Sequence, residues 1–270
     1  MSVIRIFCIF IIAMICFAAN PALAHSPLSA SGAEQISAYL SLALLGLFWL
    51  IYLIGCRKKS PGILRSVYFH AALFLCCIAV LGPLDEWAET NEAAHMTQHM
   101  LLMVAVAPIW VFSQPLPQLI AGGGRIAVLI SKPLISLTGH PMITAYLHGG
   151  IIWFWHLPFF YVLALENPWW HVLEHACFLV TAGFFWWSVL KCSHRQAPWA
   201  LLAVLLTLMH TGFLGALLTF APEPLYGAER HLDSQQLAGL IMWVAGGIPY
   251  ITAAVWIGYR WYLQLMRRMV

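Results

Sequence analysis

Residues 92–108 read EAAHMTQHMLLMVAVAP, with two histidines four apart, His95 and His99, and three methionines, Met96, Met100 and Met103, at the front of an apolar run. The run continues to residue 112, so 95–112 is long enough to cross a hydrocarbon layer ~30 Å thick at ~1.5 Å per residue. Read as a transmembrane helix, the stretch puts both imidazoles on one face at one end of a span. Imidazoles and thioethers anchor poorly in lipid and ligate metals well, so their use depends on which side of the membrane that end faces.

Composition supports the membrane reading. The chain has 270 residues, of which 62% are hydrophobic and only 9% charged, with a mean hydropathy of +0.83. Soluble domains of this length do not have that balance, and polytopic membrane proteins do. The net charge of +3 is small and its basic residues are scattered, which excludes a nucleic-acid surface. Thirteen Trp and nine Tyr suit belts at the two membrane interfaces.

The first residues, MSVIRIFCIFIIAMICFAANPALA, place Arg5 ahead of an apolar run and end in ALA at Ala24, the pattern of a cleavable signal peptide. Cleavage leaves a mature chain, 25–270, starting at His25 outside the cytoplasm; an uncleaved first span is the alternative. Seven further stretches are long enough to span: 36–54, 63–82, 95–112, 141–163, 171–190, 198–220 and 237–258. Segment 116–135, LPQLIAGGGRIAVLISKPLI, carries Arg125, Lys132, three glycines and prolines, and reads as a cytoplasmic loop with an interfacial helix. The expected fold is an all-α membrane protein, a single domain of seven transmembrane helices over 25–270 behind a signal peptide over 1–24.

Charge supports this topology. With an outside N-terminus, Arg57, Lys58, Lys59, Arg65, Arg125, Lys132, Lys191, Arg195, Arg260, Arg267 and Arg268 are all cytoplasmic, as the positive-inside rule requires. Only Arg230 falls outside, Arg5 leaving with the signal peptide. All ten acids fall on the outer side or at its boundary. Spans three and five then enter from outside, so His95 and His99, and a second pair, His171 and His175 of HVLEH, occupy their outer ends. His156 of WFWHLPFF lies near the outer end of span four, and His25 and His231 lie in outer segments. His210 is ~14 Å down span six, and His70 and His148 are deeper.

Two i,i+4 pairs at matching depth point to one site, because each pair offers two imidazoles to one ion. Interfacial histidines bonded to water, headgroups or backbone are the plainer alternative for either pair alone. For both together, the cost of polar side chains within spans favours a functional interior. His95, His99 and Met103 form a stripe descending into the span, and imidazole with thioether suits copper, Cu(I) above all, although Met also fills apolar gaps. Glu174, three after His171, can orient that ring or act as a ligand itself. A mature His25 would offer an amine and an imidazole together. Paired histidines on neighbouring spans can also ligate haem b, with His70, His148 and His210 holding a second group. The cysteines form no disulfide framework and no CxxCH, and no Walker loop, dinucleotide fingerprint or nucleophile elbow occurs.

The stretches HMTQHMLLMVAVAPIWVFSQP (95–115), WFWHLPFFYVLALENPWWHVLEHACFL (153–179), GALLTFAPEPLY (215–226) and DSQQLAGLIMW (233–243) resemble the CtaG-type cytochrome c oxidase assembly factors, over about 36–258. The resemblance implies a bacterial inner-membrane protein that helps mature haem–copper oxidase by handling copper, with a cytochrome c oxidase subunit as partner. The expected role is binding and delivery, not catalysis. The expected metal site holds His95, His99, His171 and His175, joined by His156 and His25, with Asp233, Gln235 and Gln236 at the mouth of span seven supporting it from behind. A metal-free scaffold for an oxidase subunit is the remaining alternative.

Overall fold

A computed structural model describes residues 32–269; the expected signal peptide and His25 lie outside the described residues. Among the described residues the regular structure is helical throughout. In chain order the helices are α1 (Ala33–Lys58), α2 (Ile63–Leu81), α3 (Pro83–Thr90), α4 (Glu92–Ser113), α5 (Leu116–Leu137), α6 (Pro141–Trp155), α7 (Pro158–Glu166), α8 (Pro168–Leu190), α9 (Ala197–Thr219) and α10 (Leu232–Arg267). Seven of these elements are long and apolar enough to cross a membrane, or eight if one bent pair counts as a span. Leu44, Leu47 and Val255 are among many large apolar side chains left exposed; on a helical membrane protein they form the lipid face. The buried core lies among α4, α6, α8, α9 and α10.

Two segments depart from the expected spans. Stretch 141–163 is not one rod: α6 and α7 meet at 72°. Leu157 is extended at φ −65°, ψ 133°, because the Pro158 ring disfavours helical geometry in the residue before it. His156 therefore sits at a corner. Segment 116–135, expected as a loop with an interfacial helix, lies in α5, which qualifies as a span by length and composition. Gly124, at φ 61° and ψ −141°, breaks α5. Its limbs of ~12 and ~20 Å are each shorter than the hydrocarbon layer. The first limb lies on the last turns of α1, with the Gly55 and Gly122 backbones against Gln118 and Ile51, and Lys58 donates to the Ala121 carbonyl at 3.0 Å.

Arg65 and Arg260 lie within electrostatic reach of Lys191. Partial burial, and then the charges of Arg65 and Arg260, lower the Lys191 ammonium from its ordinary value. Arg230 pairs with buried Glu92 at 3.2 Å.

Both α4 and α10 contain a π-helical turn, at Leu101–Val106 and Ile241–Ala245. Each runs towards a proline, Pro108 and Pro249, which has no N–H to give and clashes with the carbonyl four residues back. The turn widens instead: Ala107 donates to the Leu102 carbonyl and Gly246 to that of Ile241, five residues back in each case. The Met103 carbonyl, which Pro108 cannot serve, is taken by the Trp186 indole of α8 at 2.7 Å.

Helices α9 and α10 cross at Gly215 and Gly239, where a Cβ on Gly215 would stand 2.8 Å from the Gly239 carbonyl oxygen. Gly215→Val is therefore expected to force the helices apart, at a cost of about 1–3 kcal/mol or more. Reduced thermal stability of the purified variant checks this, with Gly46→Ala, whose Cβ would meet nothing within 4 Å, expected to match the parent.

Candidate metal centre

Matching caps set the depth of the two histidine pairs. Asn91 caps α4 by accepting from the Ala94 N–H at 3.0 Å, and Asn167 caps α8 by accepting from the Trp169 N–H at 3.0 Å. Asn favours this position because its side chain satisfies an N–H that has no intrahelical partner. His95 and His171 each follow their cap by four residues, and His99 and His175 by eight. Helices that begin alike thus present their imidazoles at the same levels.

The four rings converge. Ring centroids are 4.1 Å apart for His95–His99, 4.2 Å for His171–His175, 5.2 Å for His95–His171 and 5.6 Å for His99–His175. Glu174 reaches between them, its Oε2 lying 3.4 Å from His95 Nε2 and 3.5 Å from His99 Nε2. His95, His99 and Glu174 are 0% exposed. His95, His99, His171 and Glu174 each offer a ligand atom, all within 4.8 Å of one another.

These separations fit a shared ion better than hydrogen bonds. A good N–H···O bond spans about 2.7–3.2 Å. Ligand atoms ~2.1 Å from one ion in tetrahedral array stand ~3.4 Å apart. Both ring nitrogens of His95 and His99 and both Glu174 oxygens have no hydrogen-bond partner among the described residues. Leaving each such buried group unpaired costs about 1–3 kcal/mol, which a metal bound in their midst would offset. Three imidazoles and a carboxylate can hold a transition-metal ion.

His156 reaches the same cluster from the α6–α7 corner. Its Nδ1 donates to the Ile152 carbonyl at 2.7 Å, since a carbonyl can only accept. That fixes the tautomer and leaves Nε2 with a free lone pair. The ring lies 6.4 Å from that of His99. Met103 is fully buried in the apolar core with Met96 and Met100, beyond the point where α4 widens and the four-residue stripe loses its helical pitch. Asp233 is exposed at the start of α10. Gln235 accepts from the Leu225 N–H at 2.6 Å, and Gln236 donates to the Ala221 carbonyl at 3.3 Å. Both thus hold the 221–226 loop. That loop carries Tyr226, whose ring stacks on Tyr161 at 3.6 Å, and Tyr161 stacks on His95 at 5.1 Å. Burial, and then the Glu174 and Glu92 carboxylates, raise the Tyr226 phenol; it stays neutral and donates to the His156 carbonyl at 3.4 Å.

Of the deeper histidines, His70 and His148 each have a local partner, while both ring nitrogens of His210 have no hydrogen-bond partner among the described residues. His70 Nδ1 donates to the Ser66 carbonyl at 2.7 Å, within its own helix, and His148 Nδ1 bonds Thr181 at 3.0 Å. Sequence reasoning missed Asp85, whose Oδ1 lies 3.9 Å from His171 Nδ1, and Gln98, which donates to that oxygen at 2.5 Å and to the Ala79 carbonyl at 2.7 Å. Gln98 lies between the paired histidines of HMTQH, and an amide between two candidate ligands was the available signal.

A family model described as cytochrome c oxidase caa3 assembly factor matches residues 46–264. No curated protein and no solved structure gives a match.

Proposed function

Because the chain belongs to the cytochrome c oxidase caa3 assembly factor family, we propose that it binds a copper ion at the His95–His99–His171–Glu174 cluster and delivers it to a copper-holding subunit of the oxidase. The observation that carries this reading is Glu174 Oε2, poised between two fully buried imidazoles at ion-sharing distances. Imidazole suits copper, and Cu(II) stands at the top of the divalent affinity series. His156 and His175 flank the cluster and can exchange into it. The acidic, histidine-bearing end faces the periplasmic side of a bacterial inner membrane, with the basic end and the C-terminus in the cytoplasm, as the positive-inside rule directs. The chain acts as a carrier, not a catalyst.

Crowding favours an ion over a haem macrocycle. The His95 and His99 rings stand 4.1 Å apart, and Tyr161 and Phe178 pack on them at 5.1 and 4.7 Å. Metal analysis and an absorbance spectrum of the purified full chain test the proposal. The expected result is copper in stoichiometric amount without a Soret band. A Soret band without copper would establish the haem b alternative, and neither signal after copper loading would leave a metal-free scaffold.

A further inference from the structure

Beside the buried cluster lies a second feature that metal binding there does not explain. A cavity of about 480 Å³ opens between α1, α3, α7 and α8. Its rim carries Glu34, Glu86, Glu89 and Glu166, and Glu89 is within electrostatic reach of both Glu34 and Glu86. Among the described residues none of these four forms an ion pair. Asp85, His171 and His175 also line the cavity. His175 is only 7% exposed, and its Nε2 has no partner among the described residues. One atom from each of these three side chains falls within 4.8 Å of the others. Gln98 fixes the Asp85 carboxylate there, tied in turn to the Ala79 carbonyl.

We propose that Asp85, His171 and His175 form a separate cation station on the cavity wall, which loads the buried His95–His99–Glu174 group. The proposal rests on the metal-binding reading above and assigns its route of entry. The physical reason is desolvation. An ion stripped of water in a low-dielectric interior costs tens of kcal/mol unless ligands replace its shell, and His95, His99 and Glu174 are sealed from solvent. A passage from ligand to ligand removes that barrier. His171 belongs to both groups, so it can stay bound while Asp85 and His175 are exchanged for His95, His99 and Glu174. The step is ligand exchange alone: the ion keeps its charge, the imidazoles bind neutral, and no electron moves. The glutamate rim raises the local cation concentration at the mouth.

Co(II) is the probe, because its visible absorption reports its ligands. Stopped-flow loading of the full chain in zwitterionic nanodiscs is expected to be slowed about tenfold or more by Asp85→Asn, a size set by what local electrostatics does to on-rates, while the final amount bound stays within about twofold of the parent. Glu34→Gln, Glu86→Gln and Glu89→Gln together should remove most of the dependence of the loading rate on ionic strength. If Asp85→Asn perturbs folding, a second arm stands in for it: with Glu174→Gln and His99→Ala combined, Co(II) should remain bound, more weakly and with an altered spectrum, at the outer group. Loading of Asp85→Asn at the parental rate overturns the proposal. So does an affinity loss in Asp85→Asn equal to that of Glu174→Gln with an unchanged rate, which would make one site of the two. A parent chain that binds no Co(II) and no copper overturns the metal reading itself, and the station with it.

Discussion

Cells deleted for this chain are expected to keep making the oxidase polypeptides while losing most of the activity of the copper-containing enzyme. Copper-independent respiration should be spared. Excess copper should restore part of the lost activity, because mass action drives a metal insertion that has lost its carrier. His95→Ala and His171→Ala should copy the deletion while the chain remains in the membrane. Groups that merely orient a ligand are worth about 10–100-fold in metal affinity, and loss of a ligand should cost at least as much. The measurement is oxidase activity at low and high copper, normalised to the amount of each variant in the membrane. Full activity of well-expressed histidine variants at low copper would exclude delivery and leave the scaffold.

Glu174→Gln should separate metal binding from folding. The change keeps the side chain's size and removes its charge from a site that is 0% exposed. A buried carboxylate without hydrogen-bond partners is expensive in the metal-free state, so the metal-free variant should be as stable as the parent or more so. With metal the order reverses. An ion at 100 times its Kd stabilises the folded state by about 2.7 kcal/mol, and a variant whose Kd has risen on the order of 100-fold keeps only about 0.4 kcal/mol of that at the same concentration. Thermal unfolding with and without added copper reads this directly. An equal metal-induced rise in Tm for parent and variant would mean that Glu174 is not a ligand.

Much of this architecture could be read from one sequence because membranes impose simple rules. Apolar runs mark most of the spans, although the run over 116–135 reads as a loop for its charges and glycines and the run over 141–163 is bent. Two HxxxH pairs at corresponding ends of two spans locate the candidate site, while the matching asparagine caps that set their depth emerge only from the structure. What escaped notice depends on contacts between distant segments. The 72° corner follows from Pro158, yet Pro141 and Pro168 also open helices, so a proline alone does not say whether it bends one span or separates two. Asp85 lies fourteen residues from His99 on a short helix whose direction no periodicity gives. The stripe through Met103 assumed a regular pitch, which Pro108 interrupts. Gln235 and Gln236, expected to support the site, hydrogen-bond the loop that carries Tyr226.

The widened turns of α4 and α10 also bear on how the family's sequences should be compared. A π turn is equivalent to a single residue inserted into an α-helix, so α4 has two reading frames: one before Leu101 that aims the imidazoles, and one after it that seats the rest of the span. A relative with a regular helix here would need one residue fewer between its second histidine and its proline to keep both frames. An alignment drawn without a gap would then pair the histidines correctly and misassign every packing residue below them. Spacing between the histidine pair and that proline, compared across many members, would show whether the insertion is ancestral or was acquired within one branch.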